Sequence, residues 1–308
     1  MERGRTERPS GNGPRHIGPY QLITRLDPTG PGLPPVPEHR FVARSADGDR
    51  TVLVSAPLAD TDPGRFLVEA QAARGFVGPW VLPVDEVSPT PAAAWYATPY
   101  LPVLPLPVAL AVHGGPLPEH TVRALGTALA DTLAAAHAAG TTHAGLSSPA
   151  AVLLAWDGPR LTCFGSVRAA APDGEPRNSR PGLEPGSLAP EAAAGGRPRP
   201  AGDIHGLGAV LAYAATGHTV PDRAELPESL RPLISRCLSR DAAARPTAAE
   251  LLHALPPATG APSATVLDSA ASLLSPGWLP GRVVAALARQ SAQLLTAEVR
   301  VPQTTTRT

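Results

Sequence analysis

The sequence predicts an α+β chain in which a small antiparallel sheet of five strands with one helix precedes a larger, mostly helical part. Two patterns carry that expectation. Between residues 17 and 101, short apolar runs alternate with turn residues, as in hairpin-linked strands. From 118 to 140, Val122, Leu125, Leu129 and Leu133 repeat at three- and four-residue steps, and Gly140 closes the run as a helix stop. With 308 residues, 43% of them apolar, the chain can bury a sizeable core. Its 39 prolines and 29 glycines imply long loops and disordered ends around that core.

Residues 1–16 form a polar tail without periodicity, expected to be disordered. A first strand starts near Ile17, with Tyr20 and Leu22 on one side. A Pro-rich loop then carries Asp27, Thr29 and Gly32 and is lengthened by the LPPVPEHR run. Strands over 41–44 and 51–55 are joined by the turn sequence SADGD. Helical spacing over 65–75 ends at Gly75 and contains Glu69; strands over 77–87 and 93–102 lead into a Pro-rich hinge. Residues 171–186 are polar, rich in Pro and Gly, and expected to be mobile; they include Ser179. Residues 256–277 read as a linker. Residues 278–300 read as an amphipathic helix with Val283, Leu287, Leu294 and Leu295 on one face, and 301–308 as a disordered tail. Packing of that helix on the larger part and docking onto a partner both fit the pattern.

Charge and composition narrow the function classes. The 26 acidic and 26 basic residues cancel, so nothing favours nucleic acid or an anionic membrane as partner. Every basic residue other than histidine is arginine; the chain has no lysine. Cys163 and Cys237 are far apart, without metal-ligand spacing, which suits a reducing compartment. No run approaches the ~20 apolar residues of a membrane span and the N-terminus lacks a signal-peptide core, so a cytoplasmic location is expected.

The segment 141–165, TTHAGLSSPAAVLLAWDGPRLTCFG, concentrates the chemistry. It resembles the catalytic core of a protein kinase, in which an HRD loop, a short hairpin and a DFG turn follow one another. His143, the apolar run Val152 to Leu154, Phe164 and Gly165 match. Further matches are LAPE at 188–191, DIHGLG from Asp203 and the RPT around Arg245, and the whole is similar in particular to bacterial serine/threonine kinases over about 17–255.

The resemblance implies a bilobal fold, with a sheet lobe over about 17–101 and a helical lobe over about 102–255. It implies that Asp203 accepts hydrogen bonds from the backbone near His143, and that Glu191 pairs with Arg245. It also implies where the chemistry should sit, and there the chain departs. Ser55 stands in place of the phosphate-binding lysine, Gly145 in place of the base, Ala151 in place of the metal-binding amide and Cys163 in place of the metal-binding acid. In the phosphate loop the three glycine positions read Asp27, Thr29 and Gly32, so a carboxylate faces where phosphates would lie. Without its lysine, Glu69 is expected to be solvated, the alternative being a pair with an arginine.

The expectation is therefore a kinase-like domain without catalytic residues, cofactor or metal, acting as a scaffold or regulatory module on another protein. The alternative is a divergent kinase or nucleotide-binding transferase using ATP and Mg, with Asp157, His143 or Cys163 as nearby chemical groups. Each of these also has a structural role open to it: Asp157 as a turn residue, His143 as a packed ring, Cys163 as a small buried side chain.

Overall fold

Two strands of opposite polarity and a Gly-bearing turn between them organise the N-terminal lobe. In this computed structural model, which describes residues 15–28, 30, 32–255, 274 and 277–296, β1 (His16–Ile17) and β2 (Tyr20–Arg25) lead to β3 (Glu38–Ser45) and β4 (Thr51–Pro57). Gly48 in the β3–β4 turn has φ +85°, the left-handed conformation that glycine adopts without strain. The register pairs Arg40 with Ser55 and Val42 with Leu53, so these four residues share one face of the hairpin. The opposite face buries Tyr20, Leu22, Ala43, Val52, Val54, Trp95 and Ala97 together. Residues 1–14 of the expected 1–16 tail, Thr29, Pro31, most of the linker and the residues after 296 lie outside the described residues.

Helix α1 (Pro63–Ala73) begins two residues earlier than its apolar spacing suggests, because the Asp62 side chain accepts from the Arg65 amide and Pro63 occupies the first turn. β5 (Glu86–Val87) and β6 (Tyr96–Pro99) complete a six-stranded antiparallel sheet in the order β1-β2-β3-β4-β6-β5, one strand more than expected. The addition is the two-residue β1, which begins at His16, inside the span read as tail.

The helical lobe follows. β7 (Leu104–Pro105) and α2 (Leu106–His113) occupy what reads as Pro-rich hinge; Pro107 sits in the first turn of α2, where its missing N–H costs nothing. α3 (Glu119–Ala138) buries Val122, Leu125, Leu129 and Leu133, the residues of its predicted stripe. The hairpin of β8 (Val152–Ala155) and β9 (Gly158–Leu161) pairs with β7. α4 (Ser166–Ala170), α5 (Pro190–Ala193), α6 (Pro200–Thr216), α7 (Arg231–Cys237) and α8 (Ala248–Ala254) complete the lobe, α8 opening on a reciprocal Thr247–Glu250 capping box. One apolar core joins α2, α3, α6, α7 and α8.

The 171–186 segment, expected to be mobile, is anchored instead. Arg177 is wholly buried and donates to the carbonyl oxygens of Ala171, Ala192 and Gly196 and to Asp173. Gly182 packs so closely on Pro37 that an added Cβ would lie 2.6 Å from its Cα. Helix α9 (Gly281–Leu295) packs back on the domain through Val283, Ala286, Leu287 and Leu294. Leu295, placed by spacing on that apolar face, is 85% exposed; a residue next to Leu294 is turned by about 100° around a helix and cannot share its face.

Candidate functional site

The cleft between the lobes is occupied by the side chain of Arg40. This residue lies in the Pro-rich LPPVPEHR stretch that reads as loop, but β3 extends back to Glu38 and turns both Glu38 and Arg40 inward. Their burial follows from strand period: Glu38, Arg40 and Val42 are alternate residues on the face that looks into the cleft. Arg40 donates through Nε to Asp27 Oδ2 at 2.8 Å and through a second nitrogen to Asp27 Oδ1. The same guanidinium crosses to the other lobe, donating to the Ala150 carbonyl at 2.9 Å and to Thr162 Oγ1 at 3.0 Å. Burial works against the Arg40 charge, but its neighbours, Asp27 foremost with Cys163 and Glu38, together outweigh it and hold the guanidinium more firmly protonated than in water.

Glu38 is the second inward group. Its Oε1 accepts from Tyr96 Oη at 2.6 Å, Ser55 Oγ at 3.1 Å and the Cys163 thiol at 3.4 Å. Burial pushes the Glu38 carboxyl above its ordinary range, against the opposing pull of Arg40 and the three donors. Burial likewise pushes the Tyr96 hydroxyl and the Cys163 thiol well up, with Glu38 adding to both. Cys163 is therefore held as a thiol, poorly suited to act as nucleophile or metal ligand.

Ser55 and Cys163 line one small cavity of about 30 Å³ with Glu38 and Arg40, room for a water molecule or two. Gly145 and Ala151 do not line it. The four positions where the resemblance places the missing catalytic groups thus do not share a cavity, a correction with two physical causes. Arg40 fills the space between Thr162 and Ala150, and Gly145 lies directly against the Cys163 backbone. A Cβ on Gly145 would stand 2.1 Å from the Cys163 carbonyl oxygen and 2.5 Å from the His143 ring. Ala151 is fully buried, its carbonyl taken by Thr162 through both its amide and its hydroxyl. Cys163 has φ +61° and Ala144 φ +50°, left-handed conformations uncommon outside glycine. At the loop, Asp27 is buried and turned to Arg40, Gly32 is exposed with φ +80°, and Thr29 is not among the described residues.

The architectural positions come together as the resemblance implies. Asp203 accepts from the amides of His143 and Ala144, both at 2.8 Å, and meets His137 Nε2 at 2.9 Å. Arg245 pairs with both carboxylate oxygens of Glu191, at 2.6 and 2.8 Å. The rings of Phe76, His143 and Phe164 pack with centroids 5.0 to 5.6 Å apart. Burial lowers the His143 pKa to about 4, so the ring is neutral and its Nδ1 accepts the Gly145 amide. Gly165 is held close against α1, where an added Cβ would meet the Glu69 carboxylate at 2.1 Å. Glu69 is not solvated: Arg168 on α4 donates to it at 2.7 and 2.8 Å, and lies over the Phe164 ring. Asp157 is a turn residue bonded to Arg160.

Magnesium-bound nucleotide does not fit this donor set. Carboxylate oxygens are the natural ligands of magnesium, and both inward acids are committed, Asp27 to Arg40 and Glu38 to Ser55, Tyr96 and Cys163. Among the described residues no three His, Cys, Asp or Glu side chains gather in a metal-binding group. A phosphate would meet the Asp27 carboxylate at the loop, and the lysine position carries the short neutral Ser55.

Comparison with known proteins places this architecture. The chain is 34% identical over 293 residues to the serine/threonine-protein kinase AfsK of Streptomyces coelicolor, covering 88% of this chain and 35% of that protein. It is 36% identical over 267 residues to the probable serine/threonine-protein kinase PkwA of Thermomonospora curvata, covering 79% of this chain and 34% of that one. The chain belongs to the bacterial serine/threonine protein kinase family. The bilobal kinase fold is shared with the kinase domain of Mycobacterium tuberculosis PknI at a TM-score of 0.57 and 21% identity, covering 78% of this chain and 96% of that domain. No protein-family model matches the chain. This family member spans about a third of the length of the curated relatives it matches. Among its described residues no helix is long and apolar enough to cross a membrane.

Proposed function

We propose that this member of the kinase family is catalytically inactive and serves as a scaffold or regulatory module through contacts with another protein. The observation that carries the reading is the Arg40–Asp27 pair, buried in the cleft and bonded across to Ala150 and Thr162. Phosphoryl transfer depends on positioning and on neutralising charge at the phosphates, with a base to orient the nucleophile. Here the Arg40 cation in the cleft is bound to the chain's own Asp27 carboxylate, and the position expected for the base has no room for a side chain. The residues that brace the helical lobe, Asp203, Glu191 and Arg245, keep their bonds. That contrast fits selection for a fold whose surfaces matter more than its cleft.

Incubation of the full chain with γ-labelled ATP, magnesium and a generic protein acceptor tests the reading. The expected result is no label in the acceptor or in the chain itself. Magnesium-dependent labelling, abolished by Arg40→Ala, would instead assign Arg40 as a phosphate-binding cation and restore the family's activity to this chain.

A further inference from the structure

Helix α9 joins the two lobes at a point no part of the kinase motif accounts for. Its N-terminal half belongs to the helical lobe: Val283 and Leu287 enter the main core, Thr121 Oγ1 donates to the Trp278 carbonyl at 2.6 Å, and Trp278 Nε1 donates to the Trp156 carbonyl at 2.9 Å. Its C-terminal half reaches the hinge and the sheet. Gln290 Oε1 accepts from the Val103 amide at 3.2 Å, and Arg44 on β3 donates to the Leu294 carbonyl at 3.2 Å. That carbonyl lies in the last turn of the helix and accepts from the Thr296 amide at the C-cap as well as from Arg44, so β3 adds a second donor to it.

Leu294 itself is 6% exposed and packs in a cluster with Leu26, Val42, Leu53, Leu82 and Leu153. Leu26, Leu53, Leu82 and Leu153 also line the cleft cavity. The helix end is thus continuous with the apolar side of the cleft. Both lobes contribute to that cluster, β3 and β4 from the sheet and β8 from the helical lobe.

We infer that α9 is a latch in cis: it fixes the angle between the lobes and seals the apolar side of the cleft, and unseating Leu294 opens both. The latch is asymmetric. The N-terminal half is held by core packing of Val283 and Leu287 and by Trp278 just before it, whereas among the described residues the C-terminal half is held by buried Leu294 and by the hydrogen bonds of Gln290 and the Leu294 carbonyl. Burying a single leucine shifts a seated-to-unseated ratio by about 10- to 100-fold, so the C-terminal half is the end that releases first. The inference stands whether or not the cleft transfers phosphate, because no contact in it involves a catalytic position.

Hydrogen exchange on the full chain tests it without any nucleotide. Leu294→Asp is expected to speed exchange in β3 and at Val103 while leaving α3 and α6 protected, and Leu295→Asp, at the exposed neighbour, is expected to match wild type. Gln290→Ala, which removes only the acceptor of the Val103 amide, is expected to speed exchange at Val103 by about fivefold; it decides the matter if Leu294→Asp does not fold. Unchanged exchange at the hinge in Gln290→Ala, or equal effects of Leu294→Asp and Leu295→Asp, would overturn the latch.

Discussion

Arg40 and Asp27, 13 positions apart in the chain, meet as a two-pronged ion pair with both side chains almost wholly removed from water. The planar guanidinium matches the two carboxylate oxygens, and its remaining N–H groups reach the other lobe. A pair of this kind is expensive to break on one side, because the surviving charge is left buried without a partner.

Arg40→Leu is therefore expected to destabilise the domain by roughly 3–5 kcal/mol, and Asp27→Leu by a similar amount. Combining them removes both charges and should recover most of the loss. Urea unfolding of the two singles and the double reads the coupling directly; additive losses would mean that the pair does not act as a unit.

Glu38 sets a pH dependence of definite sign. Its folded pKa is raised, chiefly by burial, so the fold favours the neutral acid. The stability it contributes is complete below the ordinary glutamate value of about 4.3 and is lost as pH rises through the folded pKa. Glu38→Gln keeps an oxygen acceptor for Ser55, Tyr96 and Cys163 without the charge. Chemical denaturation at pH 5 and pH 8 should show the variant gaining on wild type at the higher pH; a wild type that gains on the variant there contradicts this assignment.

His143 acts in the opposite direction. Its folded pKa is lowered to about 4 by burial, against an ordinary histidine value of about 6.5. Its contribution is present above pH ~6.5 and is lost as pH falls toward 4, a change of roughly 3 kcal/mol. His143→Phe, which can pack on Phe76 and Phe164, should flatten the stability curve between those pH values. It should cost about 1–3 kcal/mol at neutral pH for the Gly145 amide left without its acceptor.

Much of this arrangement is legible in the sequence, and the parts that are not have identifiable reasons. Asp203, Glu191 and Arg245 occupy motif positions whose neighbours in sequence fix their register, and their bonds form as the resemblance implies. Glu38 and Arg40 are hidden because three nearby prolines make 33–40 read as loop. The period-two alternation of Glu38, Arg40 and Val42 was the available signal, masked by two charged residues on a buried face. Arg168 could not be named as the partner of Glu69 because the two are 99 positions apart with no local pattern linking them. α2 was obscured in the same way as β3, by prolines that stand at its first turn rather than inside it.

Restoring the catalytic residue types should fail at Gly145 before any chemistry is tested. With a Cβ placed 2.1 Å from the Cys163 carbonyl oxygen, Gly145→Ala is expected to cost at least about 1–3 kcal/mol through overpacking. The triple change Ser55→Lys, Gly145→Asp, Cys163→Asp should be less stable still and gain no ATP affinity. Calorimetric titration of the triple variant checks this, and saturable magnesium-dependent binding would show that the cleft can be reopened by side chains alone.

If the cleft is closed to nucleotide by its own residues, the melting temperature of the unmodified chain with and without millimolar ATP and magnesium shows it most directly. Ligand at about 100 times its Kd stabilises a fold by about 2.7 kcal/mol, a rise of roughly 5–10 °C for a domain of this size. A closed cleft gives no shift; a magnesium-dependent rise of several degrees would contradict it.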